Sequence, residues 1–331
     1  MTHGAEDARV VLCVVTGGSL GHALPPRDGR RPRHVTSANA FRRMLFGERT
    51  TRADRALRLC SIAVAAWLAA TLSLVARASY QARDPIPVAV HVLALAAVCL
   101  LLMRDERTPR LLRDWLPLAF LPFLYVDARW PIAGLGRPHA DAVVHGWELA
   151  AFPSDPSRSL AVTFHNAALS ELLHLAYLSY YGLVYLSPLL VYVRRPRPAF
   201  AETMLALTAA FGICFVASLV FPVDGPRFIV GAAAAPEGPA RSLTLALLQG
   251  ASTRGMAFPS MHVAGSVAAA ICAVRFARPL GYVFALFTAA LMAGTVYGGF
   301  HYAVDVVAGL VVGVLSVILA ALAWRANWLD A

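Results

Sequence analysis

His262, His301 and Asp305 stand out in this sequence as groups able to work on one substrate together. His262 closes the run Gly255-Met256-Ala257-Phe258-Pro259-Ser260-Met261-His262, and the other two lie within Tyr297-Gly298-Gly299-Phe300-His301-Tyr302-Ala303-Val304-Asp305. His301 and Asp305 are four residues apart, so on a helix they stand on the same side. A carboxylate placed there can accept the hydrogen bond from one imidazole nitrogen and fix the tautomer. The other nitrogen is then free as a base or nucleophile. A single histidine at a helix end more often satisfies a local backbone partner; two histidines and a carboxylate that converge point to a site.

Convergence requires elements that bring the two motifs together. Between the histidines lie two apolar runs, broken only by Arg275-Phe276-Ala277-Arg278-Pro279. Each is roughly long enough to cross a bilayer as a helix, which takes about 17–25 residues. A helical hairpin goes down and comes back, so it returns His301 to the face that carries His262.

The rest of the chain fits such a setting. Of its 331 residues 58% are hydrophobic and 15% charged, whereas a soluble domain carries about 45–50% and 25%. The expected fold is an all-α polytopic membrane helix bundle of about eight transmembrane helices. Their apolar segments are residues 59–76, 86–103, 115–126 extended by 128–135, 170–193, 199–222, a sixth from about 260, 280–296 and 302–324. Residues 1–57 form a basic tail rich in Arg, Pro, Gly and Ser, either a disordered cytoplasmic segment or an extension ahead of the true start; residues 58–331 form the membrane domain. The more polar stretch 136–159 reads as an interfacial amphipathic segment in which His145 and Glu148, three apart, can touch.

The formal net charge is +10, and every one of the 29 basic residues is an arginine. These arginines gather in the tail and between apolar blocks, with no aromatic-interleaved basic groove, so nucleic acid is not the expected partner. With eight spans, the tail, residues 104–113, 194–197, 275–278 and Arg325 fall on one side. The positive-inside rule makes that side cytoplasmic. Both termini are then cytoplasmic, and His262, His301, Asp305 and Arg227 face the other side of what is expected to be the plasma (inner) membrane. The five cysteines, Cys13, Cys60, Cys99, Cys214 and Cys272, show neither a disulfide framework nor a metal spacing. The cluster Gly17-Gly18-Ser19-Leu20-Gly21 has no lysine after it and carries no phosphate role.

Phe258-Pro259-Ser260-Met261-His262 and His301-Tyr302-Ala303-Val304-Asp305 resemble the second and third signatures of the phosphatidic acid phosphatase type 2 superfamily. In particular they resemble the branch containing inositol phosphorylceramide synthases and related phosphotransferases. The second signature reads Pro-Ser-Gly-His, with Met261 in the glycine position. The third reads Ser-Arg-x5-His-x3-Asp, with Gly294 and Thr295 in the Ser and Arg positions. The first, Lys-x6-Arg-Pro, retains Arg227 but has Val220 and Phe228 in place of Lys and Pro.

This resemblance implies a six-helix phosphatase-like core and metal-independent phosphoryl transfer without a cofactor. It implies His301 as the nucleophile that forms a phosphohistidine, Asp305 as its orienting partner and His262 as the general acid. Arg227 is the candidate phosphate clamp. Ser260 either binds a phosphate oxygen at the start of its helix or is a plain N-cap. Arg254 either replaces one of the missing cations or is an ordinary loop arginine. Tyr177, Tyr180 and Tyr181 either line a headgroup pocket or pack. The expected substrate is a phospholipid or isoprenyl phosphate, with a transferred headgroup such as inositol phosphate one outcome; the oligomeric state is open. The alternative is a transporter, or a non-catalytic membrane protein that uses the histidines to bind protons or ligands.

Overall fold

The computed structural model describes residues 51–104, 107–229, 231 and 234–326. The expected tail up to residue 50, with Cys13 and the glycine cluster, lies outside them. Among the described residues the chain is helical, with no strand. The helices are α1 (Arg52–Ala82), α2 (Ile86–Met103), α3 (Arg110–Asp127), α4 (Arg129–Leu135), α5 (Asp141–Ala151), α6 (Pro156–Thr163), α7 (Ala167–Leu178), α8 (Tyr180–Arg194), α9 (Arg197–Val220), α10 (Pro226–Ile229), α11 (Pro239–Ala251), α12 (Met261–Phe276), α13 (Arg278–Tyr297) and α14 (Ala303–Arg325).

Five of these, α1, α2, α9, α13 and α14, are long and apolar enough to cross a membrane. The pair α7 and α8, bent by 46°, makes a sixth if counted as one span. The remaining two of the eight expected segments differ for physical reasons. α3 carries Arg110, Arg113, Asp114 and Asp127 within its length, so it is too charged to qualify. α12 has only 16 residues, because Ser260 caps its start and Arg275 stands near its end. The first helix also begins earlier than residue 58, where Thr51 accepts from the Asp54 N–H and Asp54 in turn accepts from the Thr51 N–H.

The short α12 is nonetheless the hub. It packs against α8, α9, α13 and α14, and its small residues Ala264, Ser266, Ala268, Ala269 and Ala273 are fully buried. Small side chains let helix backbones approach closely where lipid supplies no hydrophobic drive between them. On α14 the matching positions are Gly309 and Gly313. A Cβ at Gly309 would lie 2.5 Å from the Ser260 carbonyl oxygen, and one at Gly313 2.8 Å from that of Ala264. Outward-facing apolar residues such as Leu93 on α2, Leu286 on α13 and Val311 on α14 remain exposed, as a lipid-facing surface requires.

The two ends of the bundle differ in chemistry. At one end Arg197 of α9 bridges Asp54 of α1 and Asp114 of α3. Arg275 of α12 pairs with Glu202 of α9, and Arg52 donates to the Ala326 carbonyl just past α14. At the other end lie the starts of α12 and α14, the end of α13, and α5. His262, His301 and Asp305 are all at this second end.

The close approach at Gly309 is expected to be intolerant of a side chain. Gly309→Ala should destabilise the folded protein in detergent by about 1–3 kcal/mol, as overpacking does. Gly212→Ala, where an added Cβ meets nothing within 4 Å, should leave the thermal midpoint unchanged or raise it. Thermal unfolding of the two purified variants checks the contrast.

Candidate active site

The site is assembled from three loops. The chain leaving α9 and the chain entering α12 pair as a parallel bridge. In it the Val223 N–H donates to the Gly255 carbonyl (3.3 Å) and the Ala257 N–H to the Val223 carbonyl (2.8 Å). The third loop, residues 298–302, follows α13. The Thr295 carbonyl receives the N–H groups of both Phe300 (3.0 Å) and His301 (3.2 Å), which ends α13 and turns His301 inward. Finally the Ser260 N–H donates to the Asp305 carbonyl (3.0 Å), joining the start of α12 to the first turn of α14.

His301 is 5% exposed. Its Nδ1 lies 3.0 Å from the Ala257 carbonyl oxygen and 3.4 Å from Asp305 Oδ2. A carbonyl oxygen can only accept, so Nδ1 carries the proton and Nε2 keeps its lone pair. Asp305 thus shares the orienting role with a backbone carbonyl, the shorter of the two contacts. The Asp305 carboxylate also accepts the Tyr302 N–H (2.9 Å), and its Oδ1 is buried without a partner. His301 Nε2 faces His262 Nδ1 at 3.5 Å, and His262 Nε2 faces the Tyr177 hydroxyl at 3.2 Å. The aromatic rings of Tyr177 and Tyr180 flank His262 with centroids at 5.1 and 4.5 Å.

Both histidines, Arg227, Tyr177, Tyr125, Ser252 and Phe300 line one small pocket. Arg227 is half-buried and donates to the Ser252 hydroxyl. Among the described residues no carboxylate forms an ion pair with it. Burial lowers its proton affinity, although a guanidinium remains charged throughout the working pH range. A desolvated, unneutralised cation beside two imidazoles is an arrangement that favours an anion.

Arg254 is placed differently. Its guanidinium is held by the Asp224 carboxylate, which raises its proton affinity. It lines a separate, open cavity with His139, Asp141, His145 and Asp224. Asp224 also accepts from His139 Nδ1 (2.8 Å) and the Gly255 N–H (2.8 Å). His139, Asp141 and Asp224 bring potential metal-ligand atoms within 4.8 Å of one another. The oxygens of Asp224, however, already serve Arg254, His139 and Gly255, and those of Asp141 serve backbone N–H groups. Ser260 is fully buried, and its hydroxyl accepts the Val263 N–H (3.4 Å); of its two readings the structure displays the N-cap.

The departures from the third signature have steric causes. A Cβ at Gly294 would lie 2.3 Å from the Leu173 carbonyl oxygen, so the serine of that signature does not fit between α13 and α7. Thr295 is fully buried and bonded to the Met292 carbonyl (2.7 Å). Val220, in the lysine position, is exposed. Sequence reasoning named neither Tyr125 nor Ser252, which are distant in the chain and carry no motif. It also paired His145 with Glu148, whereas His145 faces Asp155 (3.8 Å) and Glu148 reaches the start of α14.

A larger cavity of about 390 Å³ adjoins this pocket. Its walls include Leu121, Val126, Tyr180, Tyr181, Leu247 and Met261, and it shares Tyr125, Leu248, Ser252 and His262 with the smaller one. Of the three tyrosines expected to form a wall, Tyr180 and Tyr181 line this apolar cavity, while Tyr177 lines the pocket with Arg227.

A search with protein-family models matched the PAP2 superfamily over residues 143–319, more than half of the chain. Neither the curated proteins nor the solved structures gave a match.

The surroundings of His301 lead to a pH prediction. Burial pushes its pKa down to about 4, against the upward pull of the Ala257 carbonyl, and Arg227 adds to the lowering. His301 in the ligand-free protein should therefore stay neutral as pH falls through the ordinary histidine value of about 6.5 and gain its proton only near the lower value. Titration of ¹⁵N imidazole shifts, assigned with His301→Gln, reads this directly. Protonation at the ordinary value would mean that burial does not dominate.

Proposed function

Because the chain belongs to the PAP2 superfamily, we propose that it is an integral-membrane lipid phosphatase or phosphotransferase working through a phosphohistidine on His301. The observation that carries this reading is the unneutralised Arg227 in one pocket with the bare Nε2 of His301 and with His262. Arg227 and the N-terminal end of α12 would balance the charge on the non-bridging oxygens. The Nε2 lone pair attacks phosphorus, a P–N bond forms, and the bond from phosphorus to the leaving oxygen breaks. His262, entering the step as the imidazolium, gives that oxygen its proton and becomes neutral. Water or an alcohol then attacks phosphorus and loses its proton to His262, and the P–N bond breaks to restore His301.

On this reading Asp305 and the Ala257 carbonyl hold the nucleophile, and no divalent metal is needed. Arg254 acts indirectly, by neutralising Asp224, rather than as a second clamp. The hydrocarbon part of a phospholipid or isoprenyl phosphate would occupy the apolar cavity beside His262. Tyr180 and Tyr181 stand where an acceptor alcohol could be held, and the resemblance of both histidine motifs to the inositol phosphorylceramide synthase branch supports transfer over hydrolysis. A held alcohol competes with water because effective molarities in attack geometry reach the order of 10⁵ M. The arginine-rich opposite end of the bundle supports an extracytoplasmic site, with the residues ahead of α1 a cytoplasmic tail and the chain from α1 onward the catalytic domain.

Purified protein assayed in detergent against phosphatidic acid, isoprenyl diphosphate and phosphatidylinositol, with and without a ceramide-like acceptor, tests the proposal. Turnover should survive EDTA. His301→Ala should abolish both turnover and phosphoenzyme labelling; substantial activity in that variant sinks the assignment. Tyr180→Ala and Tyr181→Ala should lower the ratio of transfer to hydrolysis without abolishing both. If the wild type releases only free phosphate across a panel of lipid alcohols, a plain lipid phosphatase remains.

A further inference from the structure

α5 does not contribute a side chain to the pocket that holds the histidines, yet it touches all three loops that build it. Its Asp141 and Glu148 are seven residues apart, two helical turns, and so share a face. Asp141 is 5% exposed and Glu148 fully buried, depths at which acidic side chains rarely occur unpaired. Asp141 accepts the N–H groups of Asp224 (3.0 Å) and Gly225 (2.9 Å), just before Arg227. Glu148 accepts those of Ala303 (2.9 Å) and Val304 (3.0 Å), just after His301.

The stretch between the two acids grips the remaining loop. Val144 packs with Val223, Ala257 and Tyr302 in one small buried cluster. Trp147 stacks on Phe221 and meets the Phe258 ring, with centroids 5.7 and 5.8 Å apart. At the start of the helix the Ala140 N–H donates to the Pro222 carbonyl (2.8 Å). Glu148 and Asp305 between them accept the first three N–H groups at the start of α14. Those are donors that a helix start otherwise leaves without partners.

We propose that Asp141 and Glu148 are positioning residues, which through α5 fix the distance between the anion-binding Arg227 and the nucleophilic His301. Neither touches the substrate. Asp141 holds the loop before Arg227 and Glu148 the start of α14, so their losses should differ in kind: Glu148 governs where Nε2 stands, and Asp141 governs where the guanidinium stands. At Glu148 the two N–H groups sit on different oxygens, so an amide leaves one N–H without its partner. At Asp141, where Oδ1 accepts both N–H groups and Oδ2 only that of Asp224, an amide removes the charge and turns its NH2 toward the Asp224 N–H. At Glu148 it also removes negative charge from a helix start. A displacement of the order of 1 Å costs about a hundredfold in rate.

This role rests on the phosphohistidine reading, and the test separates the two. Wild type, Glu148→Gln and Asp141→Asn would be compared as purified full-length chains in detergent for kcat, KM, thermal midpoint, and binding of inorganic phosphate and orthovanadate. Phosphate reports the Arg227 pocket, and vanadate reports the in-line geometry that requires His301. Glu148→Gln should lower kcat about ten- to a hundredfold and weaken vanadate about as much, with KM and phosphate binding changed less than about twofold. Asp141→Asn should raise KM and weaken phosphate about tenfold.

Wild-type kcat and KM in both folded variants would overturn the proposal. So would a uniform loss of folded protein with unchanged constants in what remains. Should Glu148→Gln fail to fold, Glu148→Asp keeps the charge and shortens the reach; a folded Glu148→Asp with wild-type kcat also overturns the proposal. Vanadate binding that Glu148→Gln weakens, in a wild type without turnover on the lipid panel, would reject the reaction and uphold the positioning role. Absence of vanadate binding by the wild type would reject both.

Discussion

A single backbone hydrogen bond, from the Ser260 N–H to the Asp305 carbonyl at 3.0 Å, ties the starts of the two helices that carry the site. It forms because α12 and α14 run close together, and they do so because Gly309 and Gly313 leave no side chain between the backbones. Four residues apart, the two glycines lie on one face of α14 and make a groove for α12. α13 supplies the return that the loop between His262 and His301 requires. Packing of α12 against α13 and α14, not the chemistry at their ends, thus sets how far apart the two imidazoles are. The 3.5 Å between their nitrogens is a consequence of helix separation.

Electrostatics around the histidines is arranged by consumption. Four buried acids crowd this end of the bundle: Asp141, Glu148, Asp224 and Asp305. Such groups would repel an anion unless they were paired, and burial indeed pushes the Glu148 pKa up, against its two backbone donors. Asp141 and Glu148 are spent on backbone N–H groups, and Asp224 on Arg254, His139 and Gly255. Among the described residues, Arg227 is the arginine that lines the pocket, and it has no carboxylate partner. It donates there to the neutral Ser252 hydroxyl, and its guanidinium lies over the Phe228 ring. Placing Arg254 on the far side of Asp224 removes that carboxylate from the balance without adding a second charge to the pocket.

How much of this is written in the sequence depends on the range of the interaction. The apolar runs between His262 and His301 predict their convergence, because only helix length and direction enter. The four-residue spacing of His301 and Asp305 anticipates their contact, although not as one helix face: His301 lies in the loop two residues ahead of Ala303, the first residue of α14. The Ala257 carbonyl, which takes the shorter contact with Nδ1, is invisible in composition since every residue has a carbonyl. Charge content explains why α3 falls short of a span, and the Ser260 cap and Arg275 explain why α12 stops at 16 residues. Asp141 and Glu148 were legible only as acids in an amphipathic stretch. Their partners lie 83 and 155 residues away, and no periodicity links them.

The departures from the family signatures follow from the same packing. Where the third signature has serine, α7 approaches α13 so closely that Gly294 alone fits, with the Leu173 carbonyl 2.3 Å from where a Cβ would stand. That approach also brings Tyr177 of α7 to His262. The hydroxyl at 3.2 Å from Nε2 then reaches a histidine through helix packing that a bulkier residue at 294 would prevent. The close interface thus supplies a ring that both packs against His262 and lines the pocket with Arg227.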